Sequence, residues 1–178
     1  MEKLVLIDGH SILNRAFYGV PNLTNSEGLH TNAVYGFLNI LFKVLDEEKA
    51  DYLAVAFDLK APTFRHKMFD AYKGTRKPMP EELHEQVPLM KEVLTAMGVP
   101  ILTKEGYEAD DILGTIAKRE QKDGYEVTIL SGDRDLLQLS DTHIRICLPK
   151  TSRGTTEVHN YYPEDVIREY QVTPEQFI

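Results

Sequence analysis

At 178 residues, 42% hydrophobic and 27% charged, the chain has the size and composition of one soluble globular domain, and no apolar run approaches the roughly 20 residues that a membrane span needs. A formal net charge of −8 argues mildly against nucleic acid as a partner, because phosphate binding normally leaves a basic footprint, and the short apolar run of MEKLVLIDGH is too brief for a signal-peptide core, so a cytoplasmic protein is expected. A single cysteine, Cys147, excludes a disulfide framework and any multi-cysteine zinc site; its place in IRICLP predicts a small buried apolar role.

Short strand-like runs alternate with helix-like ones, which predicts an α/β domain with a mainly parallel sheet. The first strand is expected over Lys3–Asp8. Val34, Phe37, Leu38, Leu41, Phe42 and Leu45 then recur at the spacing of a long amphipathic helix. A second strand is expected over Tyr52–Asp58, and after it the charge balance inverts. In KAPTFRHKMFDAYKGTRK (60–77), Lys60, Arg65, Lys67, Lys73, Arg76 and Lys77 face Asp70 alone, which leaves fourteen cations against twenty-seven acids in the rest of the chain. AYKGTRKPMP (71–80), with Gly74 and two prolines, reads as an exposed, partly rigid segment projecting from the domain. Further on, a helix is expected from about Glu81 to Met97, a strand over Val99–Leu102, a helix from about Ala109 to Lys122, and strands over Glu126–Ser131 and Ile144–Leu148. TPEQ (173–176) has the form of a capping box that announces a helix, yet only Phe177 and Ile178 follow; a piece of a longer chain is expected.

The acids follow this plan. Asp8 and Asp58 end the first two strands, Glu108, Asp110 and Asp111 follow the third, and Asp133 and Asp135 follow the fourth. Ligands of open parallel sheets bind beyond the carboxyl ends of the strands. Singly, each acid has a plain reading: EADD could favour the dipole of a helix start, and GDRD could be a turn with an N-cap. Together, seven carboxylates at four strand ends out of four favour a cation site, since without a counter-charge they would raise one another's pKa values. An all-oxygen donor set selects hard ions such as Mg²⁺ or Mn²⁺, and two such ions are a recurrent device for phosphoester cleavage. The six histidines are scattered without ligand spacing and read as surface or structural; no P-loop, dinucleotide fingerprint or nucleophile elbow is present.

LVLIDGHSILNRAFYG, PNLTNSEGLHTNAVYGFLNIL, AVAFDLKAPTFRHKMFDAYKGTRKPMPEEL, GYEADDILGT and SGDRDLLQL together closely resemble the N-terminal 5′→3′ exonuclease domain of bacterial DNA polymerase I, within the flap endonuclease superfamily and its PIN-like fold. The resemblance covers essentially the whole chain, in the family's order. It implies a structure-specific nuclease of DNA replication and repair that uses two Mg²⁺ or Mn²⁺ ions to remove 5′ flaps and RNA primers from DNA. Asp8, Asp58, Glu108 and Asp110 would hold the first metal, with Asp111, Asp133 and Asp135 towards the second. Within an arch region of about 60–98, Lys73 and Arg76 would grip the scissile phosphate and act in catalysis, and Tyr72 would stack an unpaired base. Arg15, Arg65 and Lys77 complete the implied DNA-binding set.

The family pattern continues past TPEQFI with two further metal-binding aspartates, a helix–hairpin–helix element and a polymerase domain, none of them within these 178 residues. The second metal site is therefore expected to be incomplete, and the remainder of a parent polymerase chain becomes an expected partner. A monomer is expected too, since no heptad repeat suggests self-association. Two other functions fit the same residues: a metal- and single-strand-binding fragment without catalysis, and a stand-alone PIN-type ribonuclease.

Overall fold

The computed structural model describes residues 1–60, 62–74, 76–152 and 155–177. Strand β1 (Lys3–Asp8) passes directly into helix α1 (Gly9–Gly19), and α2 (Asn32–Glu48) precedes β2 (Tyr52–Ala56). Three helices, α3 (Phe64–Met68), α4 (Glu81–His84) and α5 (Gln86–Ala96), separate β2 from β3 (Ile101–Leu102). Helix α6 (Ala109–Lys122) leads to β4 (Glu126–Leu130), and a 3-10 turn over Arg134–Leu139 leads to β5 (Ile144–Ser152). Strand β6 (Thr155–Tyr161), α7 (Pro163–Tyr170) and a 3-10 turn over Pro174–Gln176 complete the described elements.

The six strands form one sheet in the order β3-β2-β1-β4-β5-β6, all pairs parallel except β5 with β6. Alternation along the buried strands builds two cores. Val5, Ile7, Val55 and Phe57 point to the face covered by α1, α2 and α5, where Leu13, Phe37, Leu41, Met90 and Leu94 are buried. Leu6, Ala56 and Ile129 point to the other face, against Leu113 and Ala117 of α6, Leu137 and Val166. The strand order reverses between β1 and β4, so the carboxyl ends of these two neighbours open a crevice at the sheet edge.

The expected mainly parallel α/β architecture is present, with differences in its elements. The helix expected over Glu81–Met97 is two helices. Pro88 has no N–H to give the His84 carbonyl, and α5 restarts with Pro88 in its first turn, where a donor is dispensable. Strand β3 is shorter than expected because Pro100 contributes only its carbonyl, which accepts from Val55 N–H at 3.0 Å. Helix α1, strand β6 and α7 were not among the expected elements. Strand β5 continues beyond Leu148 through Pro149; its pairing with β4 stops at Cys147, so the missing N–H falls on the free side. Cys147 is buried as expected, its thiol donating to Asn160 Oδ1 at 2.9 Å, and burial pushes its pKa up to about 12. The Thr173 N–H donates to Gln176 Oε1 at 3.0 Å, so the TPEQ box forms, on a 3-10 turn. Among the described residues, no helix is long and apolar enough to cross a membrane.

A buried polar knot joins α1, α2, α4 and α5 on the Phe37 side. The Gln86 side-chain carbonyl accepts from the Ala33 and Val34 N–H groups at 2.8 and 3.2 Å, capping α2 from α5. Its amide donates to Asn32 Oδ1 and Glu82 O, and Asn32 in turn donates to Phe17 O and Val20 O at the end of α1. Gln86→Leu keeps the volume and strands two buried N–H groups; equilibrium urea unfolding should show a loss of about 2–4 kcal/mol. A loss below about 1 kcal/mol would mean that the knot adds little to the fold.

Candidate active site

Asp8 ends β1 and is buried. Its Oδ2 accepts from the Ser131 hydroxyl at 3.0 Å and its Oδ1 from the Ser11 N–H at 3.4 Å. Ser131, at the end of β4, also accepts from the Asp133 N–H at 3.0 Å, and the Ser11 hydroxyl accepts from the Gly132 N–H at 2.8 Å. The crevice between β1 and β4 is thus stitched by two serines that fix Asp8 and aim the 131–133 turn. Arg15 packs on this turn, donating to Gly132 O at 3.4 Å. Gly9 follows Asp8 because Phe57 lies across it: a Cβ there would meet the Phe57 ring at 2.6 Å.

Asp58 stands two residues past β2. Its N–H donates to His10 Nδ1 at 3.2 Å, and its Oδ1 accepts from Ala109 N–H, the first amide of α6, at 2.7 Å. Asp8, Asp58, Glu108, Asp110 and Asp133 line one cleft of about 900 Å³, together with Lys73, Arg76, Lys77 and Lys91. Asp111 and Asp135 are not in its lining. Asp135 is exposed at the start of the 3-10 turn capped by Asp133. Asp111 turns to Arg65, which holds it through two bonds of 2.8 and 2.9 Å and thereby keeps its carboxyl below the usual range.

Glu108 is the hub. Its Oε2 accepts from Arg65 Nη1 at 2.7 Å and from the Tyr72 hydroxyl at 3.2 Å, and its Oε1 is ion-paired with Lys73 Nζ. The basic segment therefore does not simply project, as its composition suggests. Arg76, Lys77, Pro78 and Met79 are exposed, while Tyr72 and Lys73 fold back onto the sheet edge. The cause is electrostatic: a buried carboxylate at the mouth of α6 draws in the nearest cations. Among the described residues, no three acids or histidines converge as the ligands of one ion, with Glu108, Asp58 and Asp111 engaged by protein donors.

Reading the residues one by one missed four members of this site. His10 was grouped with the scattered histidines, yet it bonds the Asp58 backbone and packs edge-on against Phe57, with ring centroids 5.3 Å apart. Burial lowers its pKa; the Asp58 charge opposes this and Lys91 adds to it. Ser131 and Lys91 carried no signal in the sequence, whereas the closeness of His10 and Ser11 to Asp8 in IDGHS could have raised those two.

The sequence pattern of the family described as 5′-3′ exonuclease, N-terminal resolvase-like domain, matches residues 3–171. DNA polymerase I of Bacillus caldotenax and that of Bacillus subtilis are each 49% identical over 177 residues, 99% of this chain and 20% of theirs. The chain thus spans about a fifth of the length of these curated relatives. A bacteriophage T5 flap endonuclease, solved in a pseudo-enzyme-product complex with DNA and metal ions, shares the fold with a TM-score of 0.74 at 23% identity, over 99% of this chain and 64% of its own.

Crowding leaves its mark on two acids. Burial pushes Asp8 up to about 6. Burial and then the charges of Asp8, Asp133, Asp58 and Glu108 push Asp110 up to about 8. A carboxyl whose folded pKa is raised favours the fold least when ionised, so the stability of the metal-free chain should fall as pH climbs from about 4 towards 8. Asp110→Asn mimics the neutral acid. In EDTA it should raise stability by at least about 1 kcal/mol at pH 8.5 and leave it unchanged near pH 4, read by chemical denaturation at both pH values. Equal stability at pH 8.5 would remove Asp110 from the crowded cluster.

Proposed function

Because the chain belongs to the family of 5′-3′ exonuclease N-terminal, resolvase-like domains, we propose that it is a divalent-metal-dependent nuclease that hydrolyses phosphodiesters at the 5′ ends of DNA flaps and RNA primers. The observation that carries the reading is the cleft itself: five carboxylates line it together with Lys73, Arg76 and Lys77. That pairing suits a phosphodiester brought between cations that grip it and acids that recruit metal.

The donor set fits hard ions. It is all oxygen and anionic, and the raised pKa values of Asp8 and Asp110 mark an unmet need for positive charge. Asp8, Asp58, Glu108, Asp110 and Asp133 would hold Mg²⁺ or Mn²⁺, with Asp111 and Asp135 beside them. When bound, such ions lower the pKa of an attacking water and offset the charge that builds on phosphorus.

The chain's own residues do the rest. Ser131 and Ser11 hold the Asp8 carboxylate in one orientation, the Ala109 N–H does the same for that of Asp58, and His10 accepts from the Asp58 backbone N–H. Lys73 and Arg76 bind the scissile phosphate, Lys77 and Arg15 bind flanking phosphates, and the Tyr72 face stacks an unpaired base. Arg65, bonded to Glu108 and Asp111, is tied to the acids first and to DNA second. In its natural setting the chain would act as a monomeric unit within a cytoplasmic DNA polymerase I, in replication and repair.

The test is cleavage of a 5′-labelled flap DNA in Mn²⁺ or Mg²⁺. We expect cutting near the flap junction that EDTA abolishes and that Asp110→Asn lowers at least about a hundredfold while remaining folded. Absence of cutting, with Mn²⁺ still raising the thermal midpoint, would favour a metal- and single-strand-binding role over catalysis.

A further inference from the structure

The three partners of Glu108 are not equivalent. Arg65 is anchored independently of it. The guanidinium is bidentate on Asp111 and lies 4.4 Å from the centroid of the Phe64 ring, and the Phe64 N–H donates to Gly106 O at 2.8 Å. If Glu108 let go, Arg65 would stay paired. Tyr72 contributes a neutral hydroxyl.

Lys73 differs from both. Among the described residues Glu108 is its only carboxylate partner. It sits in a left-handed backbone conformation, φ 59°, in a turn where Gly74 N–H donates to Ala71 O and Arg76 N–H to its own carbonyl. It also borders two open spaces, the acid cleft and a neighbouring cleft of about 580 Å³ lined by Thr63, His66 and Lys67. Its ammonium can therefore leave Glu108 without crossing packed protein.

If the cleft holds divalent ions, as proposed above, Oε1 of Glu108 has two claimants. We infer that Lys73 is an exchangeable internal counter-ion: a divalent cation displaces it from Glu108, and the freed ammonium becomes the one that binds the strand's phosphate. Each state then has its charge balanced. Without metal, Lys73 pairs with Oε1 of a buried carboxylate whose Oε2 is held by Arg65 and Tyr72. With metal, the carboxylate has a better partner and the lysine needs an anion, which the strand supplies. Because binding free energies are reciprocal, whatever factor metal adds to strand affinity through Lys73, the strand adds to metal affinity. The basic segment thus reports the state of the acids to incoming DNA.

The test is calorimetric titration of the 178-residue chain with Mn²⁺ in the absence of DNA. Lys73→Met keeps the aliphatic stem and removes the competitor, so Mn²⁺ should bind about tenfold more tightly than to the unsubstituted chain. Lys91→Met removes the same charge from the same cleft but from a lysine that lies over the Phe57 ring, 5.1 Å from its centroid; the gain there should stay below about threefold. Lys73→Gln should repeat the Lys73→Met result, and a thermal melt of each variant checks that it is folded. Unchanged or weaker Mn²⁺ binding in both Lys73 variants would overturn the exchange. So would equal gains from Lys73→Met and Lys91→Met, which would show only a general field; either result leaves the nuclease reading standing. If the unsubstituted chain and all variants bind no Mn²⁺, the metal-dependent reading falls and the exchange with it.

Discussion

Like charges gathered at one edge of a parallel sheet are the constraint around which this molecule is arranged. The topology makes the gathering unavoidable: strands that run the same way end on the same side, so acids placed at strand ends meet. Each is then answered by a different local device. Asp8 has serine hydroxyl and backbone donors, Asp58 has the first amide of α6, Asp111 has a bidentate guanidinium, and Glu108 has a guanidinium, a phenol and an ammonium. Asp110 is the acid on which burial and the charges of Asp8, Asp133, Asp58 and Glu108 act in one direction, and its carboxyl is pushed up to about 8. The fold tolerates this because repulsion at an edge open to solvent is weaker than in a core.

The same constraint explains why the basic segment lies where it does. Helix α3 brings Arg65 to Asp111, and the turn after it brings Tyr72 and Lys73 to Glu108, so the segment is docked by charge more than by apolar packing; Phe64, Met68 and Phe69 remain exposed. Its far side is secured differently. Gln86 and Asn32, buried and hydrogen-bonded, fix the start of α5 to α1 and α2. One anchor is a set of ion pairs. The other is an enclosed amide network.

Much of this was legible in the sequence, for definite reasons. Buried parallel strands are runs of Val, Ile and Leu, so β1, β2 and β4 announced themselves, and with them the positions of Asp8, Asp58 and Asp133. Helix α6 was bracketed by its acids and by Gly124. What stayed hidden depends on contacts between distant residues. Arg65 and Lys73 look like free cations until α6 is placed beside them, 43 and 35 residues further along. His10 resembles the other five histidines until Phe57 and Asp58 close over it. Helix α1 follows β1 with no loop to mark the change, and Pro88 divides a run whose apolar spacing alone suggests one helix. The hairpin of β5 and β6 is partly polar and ends a sheet whose other strands are apolar, so β6 gave no comparable signal.

Cys147 carries a practical consequence. Its thiol is buried in β5, bonded to Asn160 and held almost wholly protonated at neutral pH, the opposite of what a maleimide or iodoacetamide requires. The chain therefore offers a chemically silent background without any need to delete its own cysteine. A single cysteine introduced at an exposed position beside Lys73, such as Lys77 or Met79, would take a fluorophore or spin label selectively. The distance from that label to a second one on α6 would then follow the basic segment directly, as ions and DNA strands come and go.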